Sequence, residues 1–209
     1  MTSSRKTTFH AAVIASFALL AIPALTFPAL AQSGDKEAMP AAARDGACSA
    51  EQLAQIDAAF GEAEVAIATT VRRLNDEPNL PELRQWFGAT PAKFVRMNLE
   101  RVAERVARGR PIATACNHPA MCERGENSPF AYALPSAGSM GFCPLFFRAG
   151  ARGQDSRFGI LVHEMSHLAI GTRDATYQPR HVLALAKQEP ATASMNADSY
   201  EYLVETLYR

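Results

Sequence analysis

An excess of positive charge and long apolar runs are both missing from most of this sequence. The 209 residues contain 21 Lys and Arg against 21 Asp and Glu, so no basic field is available to bind nucleic acid. Past residue 31, no apolar segment is long enough to cross a bilayer. Aromatic residues make up 8% of the chain and charged residues 20%, proportions typical of one folded domain. We therefore expect neither nucleic acid nor a membrane to be a partner of the mature protein.

The one long apolar run lies at the N terminus, where Arg5 and Lys6 precede the apolar segment 11–27. A basic start, an apolar middle and small residues at 29–31 are typical of a secretory signal peptide, with cleavage after Ala31. A membrane anchor is the alternative interpretation, but prolines interrupt the run and its length is near the lower limit for a span. Cleavage would leave 19 basic and 21 acidic side chains, a net charge of −2.

The chain is predicted to divide into three parts. These are a signal peptide at 1–31, a short linker or leader at 32–47, and a single domain at 48–209. We expect the mature protein to be secreted or periplasmic, and we take a monomer as the default state.

Cysteine is scarce, and all four cysteines follow the signal peptide. An even number of cysteines in an exported chain predicts two disulfide bonds, for which three pairings are possible. A zinc ribbon is the alternative, but the spacing contains no Cys-x-x-Cys. The four residues are Cys48, Cys116, Cys122 and Cys143.

The periodicity of apolar residues predicts a mostly helical α+β fold. A capping box at Ser49 and Gln52 begins a long amphipathic helix that we expect to end near Asn75. A second helix begins at Thr90 and Pro91 and ends at 109. Its arginine-rich face is interpreted as solvated, because glutamates interleave with the arginines. Two aromatic runs, 130–134 and 142–147, predict the strands of a small antiparallel sheet, and further helices are predicted at 158–170, 182–187 and 195–207.

The third predicted helix carries the sequence His-Glu-Met-Ser-His at 163–167. A four-residue step places His163 and His167 on one helix face, where both can bind one metal ion, with Glu164 beside them as a general base. A catalytic zinc ion takes three protein ligands and keeps one position open. Asp174 is the best third ligand, because Gly171 can end the helix and turn the chain back. The alternative is a helix whose histidines only pack or face solvent.

The stretch Gly-Thr-Arg-Asp-Ala-Thr-Tyr at 171–177 resembles the signature that follows His-Glu-x-x-His in the aspzincin metalloendopeptidases. Further pieces resemble the lysine-specific branch of that family: 86–88, 143–147, and 195–198 with Glu201 and Tyr202. The resemblance implies a zincin-like domain that binds one Zn²⁺ through His163, His167 and Asp174. It also implies the disulfides Cys48–Cys116 and Cys122–Cys143.

The same resemblance implies roles for other residues. Glu164 would be the general base, and Tyr177 would stabilise the oxyanion, although a packed loop aromatic is the alternative for Tyr177. Asp198 and Glu201 share a helix face and would bind the ammonium group of a lysine just after the scissile bond. The alternative for these carboxylates is a solvated face that also includes Glu205.

The sequence departs from the family pattern in the turn that delivers Asp174. Only three residues separate His167 from Gly171, fewer than in the fungal members, and Gln178 stands where those have Gly.

We therefore expect an exported zinc endopeptidase that cleaves proteins or peptides on the amino side of lysine. The alternatives are an aspzincin protease without lysine specificity and an inert zinc-containing module that binds basic peptides. A metzincin-like site would need a third histidine soon after the turn, and His181 lies fourteen residues past His167.

Overall fold

Helices make up most of the fold in the computed structural model, which describes residues 46–123, 125 and 128–209. The predicted signal peptide and nearly all of the predicted linker lie outside the described residues. The helices are α1 (Ala50–Asp76), α2 (Pro81–Phe87), α3 (Ala92–Val106), α4 (Pro119–Cys122), α5 (Pro144–Arg148), α6 (Arg157–Ile170), α7 (Pro179–Gln188), α8 (Pro190–Ala193) and α9 (Ala197–Leu207). The strands are β1 (Thr114–Cys116), β2 (Ala131–Leu134) and β3 (Ser139–Phe142).

Helix α1 begins at the predicted capping box. The Ser49 hydroxyl accepts a hydrogen bond from the Gln52 backbone N–H at 3.1 Å, and the Gln52 side chain accepts one from the Ser49 N–H at 2.9 Å. Both bonds satisfy backbone donors that the first helical turn leaves free. The apolar face of α1 then packs against α3, α6 and α9.

Helix α6 lies at the centre of the domain, in contact with α1, α3 and α9. Every residue from Phe158 to Ser166 is buried, including the apolar Leu161, Val162 and Met165. Ser156 caps the helix by accepting from the Gly159 N–H at 3.1 Å. Gly171 ends the helix with a φ of 68°, a left-handed conformation that glycine adopts without steric cost.

Helix α9 is buried on nearly all sides, because α6 and α1 cover one side and α2 covers another. The sequence did not predict α2 as a helix; its Trp86 and Phe87 are buried and pack on Tyr202 and Tyr200, with ring centroids 5.1 and 4.9 Å apart. None of the helices in the described part of the chain has the length and apolar character needed to cross a membrane.

The three described strands form a mixed sheet in the order β1-β3-β2. Strands β2 and β3 are antiparallel, as predicted, whereas β1 pairs with β3 in parallel. The prediction of one strand over 142–147 was wrong, because β3 ends at Phe142 and α5 follows. Pro144 explains this boundary: it has no N–H to donate to a neighbouring strand, and its fixed φ suits the first turn of a helix.

The two disulfides join Cys48 to Cys116 and Cys122 to Cys143. This is the pairing that the family resemblance implied. The first bond ties the start of α1 to β1, and the second ties α4 to the residue before α5. The first bond therefore fixes the sheet region to α1, whereas the second closes a loop within the sheet region.

Replacing Cys48 and Cys116 together by Ala should destabilise the protein more than replacing Cys122 and Cys143. The bridged residues are 68 and 21 positions apart, and a longer loop restricts the unfolded chain more. The chain-entropy relation gives losses of about 4.4 and about 3.3 kcal/mol. Urea denaturation of the two double variants would measure both losses, and the reverse order would contradict this account.

Candidate metal centre

The two histidines of α6 converge on one carboxylate oxygen. The Nε2 atoms of His163 and His167 lie 3.0 and 3.1 Å from Oδ1 of Asp174. The two imidazole rings are 5.0 Å apart between centroids, because a four-residue step places them on neighbouring turns of one face. The helix and the loop after it therefore bring all three predicted metal ligands together.

The other ring nitrogen of each histidine is held by an acceptor. Nδ1 of His163 lies 2.7 Å from Asp198 Oδ1 and 3.2 Å from Glu201 Oε2. Nδ1 of His167 lies 2.8 Å from the Thr172 carbonyl oxygen. Acceptors at Nδ1 favour the tautomer that carries its proton there, so that the Nε2 atom of each histidine can bind a metal ion.

The short loop after α6 delivers Asp174 because the start of α9 holds it in place. The Asn196 side-chain oxygen accepts hydrogen bonds from the N–H groups of Ala175 and Thr176 at 2.9 and 3.1 Å. The Arg173 N–H also donates to the Met195 carbonyl at 2.8 Å. No role was predicted for Asn196, although it lies in the segment 195–198 that resembles the lysine-specific branch; the structure shows that it is fully buried beside the Asp174 loop.

Glu164 lies on α6 next to His163 and is 6% exposed. Burial raises the pKa of its carboxyl above the ordinary value, although the charges of His163 and His167 and a hydrogen bond from the Ala133 backbone lower it in part. A carboxylate whose proton affinity is raised in this way is a stronger base than one in water.

Tyr177 stands over the metal-binding face. Its ring is nearly parallel to that of His163, with centroids 6.4 Å apart, and 55% of the residue is exposed. Partial burial, and then the charge of Asp174, raise the pKa of the phenol to about 12. The hydroxyl therefore remains a hydrogen-bond donor at neutral pH.

Gln178, the residue after Tyr177, has a backbone conformation that glycine usually adopts. Gln178 has a φ of 67°, and it is the position at which the sequence departs from the family pattern. A side chain in this region costs on the order of 1–3 kcal/mol, so the surrounding contacts must stabilise the turn.

Asp198 and Glu201 lie on the buried face of α9 against His163, and each is 4% exposed. Glu201 Oε2 contacts His163, but its Oε1 is buried without a hydrogen-bond partner among the residues that the structure describes. Burial raises the pKa of Glu201, opposed by its hydrogen bond to His163. The structure thus excludes the alternative of a solvated face for these two carboxylates.

The donor set fits a zinc ion. Two imidazole nitrogens and one carboxylate oxygen are ligands that zinc takes in catalytic sites, and metal bonds of about 2.0–2.1 Å imply ligand atoms about 3.3 Å apart on a tetrahedron. The N–O separations of 3.0 and 3.1 Å are close to that value. Burial lowers the pKa of His163, but hydrogen bonds to Asp174, Asp198 and Glu201 together raise it well above the usual value, so the site favours positive charge.

Comparison with known proteins agrees with this donor set. A family profile described as lysine-specific metallo-endopeptidase, aspzincin M35, matches residues 73–205. The chain belongs to the aspzincin family. The resemblance expected from the signature at 171–177 is therefore confirmed, including its lysine-specific branch.

Two relatives and one solved structure show how much of each related protein this aspzincin chain covers. An extracellular protease of Aeromonas hydrophila is 33% identical over 159 residues, which cover 73% of this chain but 43% of that protein. A peptidyl-Lys metalloendopeptidase of Pleurotus ostreatus is 32% identical over 162 residues, covering 76% of this chain and 94% of that protein. The zinc peptidase from Grifola frondosa aligns with a TM-score of 0.66 and 28% identity, covering 76% of this chain and 97% of that one. The chain therefore spans less than half of the Aeromonas relative and nearly all of the Pleurotus relative.

Replacing Asp174 by Ala should lower zinc affinity sharply, because only two protein ligands would then remain. Replacing a residue that only hydrogen-bonds to a metal ligand lowers metal affinity about 10- to 100-fold, so we expect at least that loss when a ligand itself is removed. Zinc per chain after dialysis against a chelator series would measure it. An exposed carboxylate with no link to the site, Asp57, provides the Ala control. Stoichiometric zinc in the Asp174 variant at wild-type affinity would refute Asp174 as a ligand.

Proposed function

We propose that this protein is an exported, zinc-dependent endopeptidase that cleaves peptide bonds on the amino side of lysine. The observation that carries the proposal is the convergence of His163, His167 and Asp174 beside the buried Glu164 in a chain of the aspzincin family. His163, His167 and Asp174 would hold one zinc ion per chain.

The reaction needs an activated water and a polarised carbonyl. When bound, zinc supplies a Lewis acid for both. Glu164 takes the proton of the attacking water and passes it to the leaving amine, a role suited to its raised pKa. The Tyr177 hydroxyl donates a hydrogen bond to the negative oxygen that develops on the carbonyl carbon. Its elevated pKa of about 12 supports this role, because the donor is not lost by ionisation.

An extended substrate can pair with the edge of the sheet. Strand β2 is an edge strand in the described sheet and lies against α6. The backbone N–H of Ala133 in β2 lowers the pKa of Glu164 in part, so this strand lies beside the proposed catalytic carboxylate. Exposed strand edges bind extended peptides through backbone hydrogen bonds, which hold the scissile bond independently of most side chains.

The preference for lysine rests on the buried carboxylates of α9. Glu201 Oε1 has no hydrogen-bond partner among the described residues, and Asp198 adds negative charge beside it. A buried carboxylate oxygen without a partner is costly, and an ammonium group would satisfy it. The name of the Pleurotus relative, peptidyl-Lys metalloendopeptidase, supports the same preference.

Export is supported by three independent features. The N-terminal segment has the composition of a signal peptide, both disulfides are of the kind that persists in oxidising compartments, and the Aeromonas relative is named as an extracellular protease. We propose that the mature protein acts in the periplasm or outside the cell, as a monomer.

New protein termini should reveal the reaction directly. The oxidised, zinc-loaded protein is incubated with a denatured proteome, in parallel with its Glu164→Ala variant and with a chelator-treated sample. We expect new N-terminal lysines, identified by mass spectrometry, only with the unmodified zinc-loaded protein. Cleavage before mixed residues would leave an aspzincin protease without lysine specificity. No cleavage with zinc bound would favour an inert module that binds basic peptides.

Replacing Glu201 by Gln should reduce selectivity for lysine. We expect kcat/KM to fall at least about tenfold for a peptide with lysine after the scissile bond, and much less for the same peptide with norleucine, which lacks the ammonium charge. Because Glu201 also contacts His163, zinc content is measured in each sample. The exposed Glu104 on α3 provides the Gln control. Equal losses for both peptides at full zinc occupancy would exclude Glu201 as the lysine-binding residue.

A further inference from the structure

Glu205, which the alternative interpretation of this helix placed on a solvated face, is only 8% exposed. Its Oε1 atom accepts hydrogen bonds from the Ser156 backbone N–H at 2.8 Å and from the Ser156 hydroxyl at 2.7 Å. The Ser156 hydroxyl in turn accepts from the Gly159 N–H at 3.1 Å. A carboxylate from α9 thus completes the N-terminal cap of α6, the helix that carries His163 and Glu164.

Gly159 provides the space for this contact. A Cβ atom added at Gly159 would collide with the carboxylate of Glu205, including Oε1, Cδ and Cγ. The Glu205 carboxylate therefore occupies the space that a side chain at 159 would fill. The sequence shows a glycine inside a predicted helix here, which costs about 1 kcal/mol of helix propensity relative to Ala and indicates a packing reason.

The cap residue Ser156 and the proposed metal ligand His163 both contact α9, and the two contacts are equally spaced along the two helices. Ser156 and His163 are seven residues apart on α6, and Glu205 and Asp198 are seven residues apart on α9. Because 1.5 Å per residue makes each interval about 10.5 Å, the two antiparallel helices meet at two points of equal spacing. One polar contact alone would leave α6 free to slide or rotate against α9; two contacts fix its register.

We infer that Glu205 is a positioning residue for the active site: by holding the cap of α6, it sets the register of α6 against α9 and so places His163 for metal binding. The activity readout of this inference rests on the proposed peptidase function, whereas its metal-binding readout does not.

The role of Glu205 depends on an acceptor oxygen at one place rather than on charge. Burial, and then the charge of Glu201, raise the pKa of Glu205. Oε1 can accept both Ser156 bonds whether or not Oε2 carries a proton. A glutamine at 205 offers the same acceptor, so it should preserve the contact, whereas alanine removes it and leaves the Ser156 N–H without this partner.

The experiment compares full-length mature protein with its Glu205→Ala, Glu205→Gln and Thr206→Val variants. Thr206 is the neighbouring residue on α9 and accepts a hydrogen bond from Trp86 at 3.1 Å, so its variant loses one contact of α9 that does not involve α6. Each protein is loaded with Co²⁺ as a spectroscopic probe, and the visible spectrum and the dissociation constants for Co²⁺ and Zn²⁺ are measured. The parameters kcat and KM are measured on a lysine peptide.

For Glu205→Ala we expect both metal dissociation constants to rise about tenfold or more, a changed Co²⁺ spectrum, and a fall in kcat larger than the change in KM. Glu205→Gln should remain within about threefold of the unmodified protein, and Thr206→Val should keep its spectrum even if the unfolding midpoint falls. A Glu205→Ala protein with unchanged spectrum and metal affinity, or a Thr206→Val protein with the same losses, would overturn the inference. Loss of metal binding in Glu205→Gln would also overturn it, because charge would then be required.

A second variant keeps the test valid if Glu205→Ala folds poorly. In the unmodified background, Gly159→Ala should by itself weaken metal binding, because it displaces the Glu205 carboxylate, and unchanged metal affinity in this variant would overturn the inference. Where Glu205→Ala does fold, Gly159→Ala should have little further effect in that background, because the space is empty there. Additive effects in this double-mutant cycle would contradict the register role. If the unmodified protein binds metal and cleaves no peptide, the proposed function fails while the metal readouts still decide the role of Glu205.

Discussion

The contact between α6 and α9 is the constraint on which the rest of this structure depends. Asp198 and Glu201 hold Nδ1 of His163. Asn196 holds the loop that carries Asp174, and Glu205 holds the first turn of α6. Helix α9 and the residue before it, Asn196, therefore hold the His163 imidazole, the loop of Asp174 and the start of α6 in place. Because α9 is buried on nearly all sides, a shift of α9 would move all three together.

Such a concentration of buried carboxylates is costly unless each has a partner. Asp198 and Glu201 share the His163 imidazole, and Glu205 has the hydroxyl and N–H of Ser156. Contacts from α1 and α2 hold α9 in place, and α2 does so through Trp86 and Phe87. The two inner helices, α6 and α9, thus carry the buried charged groups, and the other helices pack around them.

Much of this arrangement could be predicted from local patterns, because capping and ligand spacing act over a few residues. The capping box at Ser49, the helix end at Gly171 and the two histidines on one face of α6 were all predicted and lie where expected. The parallel pairing of β1 was not predicted, because it depends on which distant strands meet. The helix at Pro144 was missed because a short apolar run is typical of both a strand and a buried helix. Glu205 and Asn196 could not be assigned, because their importance comes from a neighbour 49 or about 20 residues away.

The short length of edge strand β2 also limits self-association through strand pairing. Open strand edges are templates for pairing between copies, and natural proteins limit that risk with short edges and proline. Strand β2 spans only Ala131–Leu134, and Pro135 directly after it offers no N–H to continue a ladder. The edge therefore offers only four residues for pairing, so a second copy of the chain would gain few backbone hydrogen bonds by strand-to-strand association.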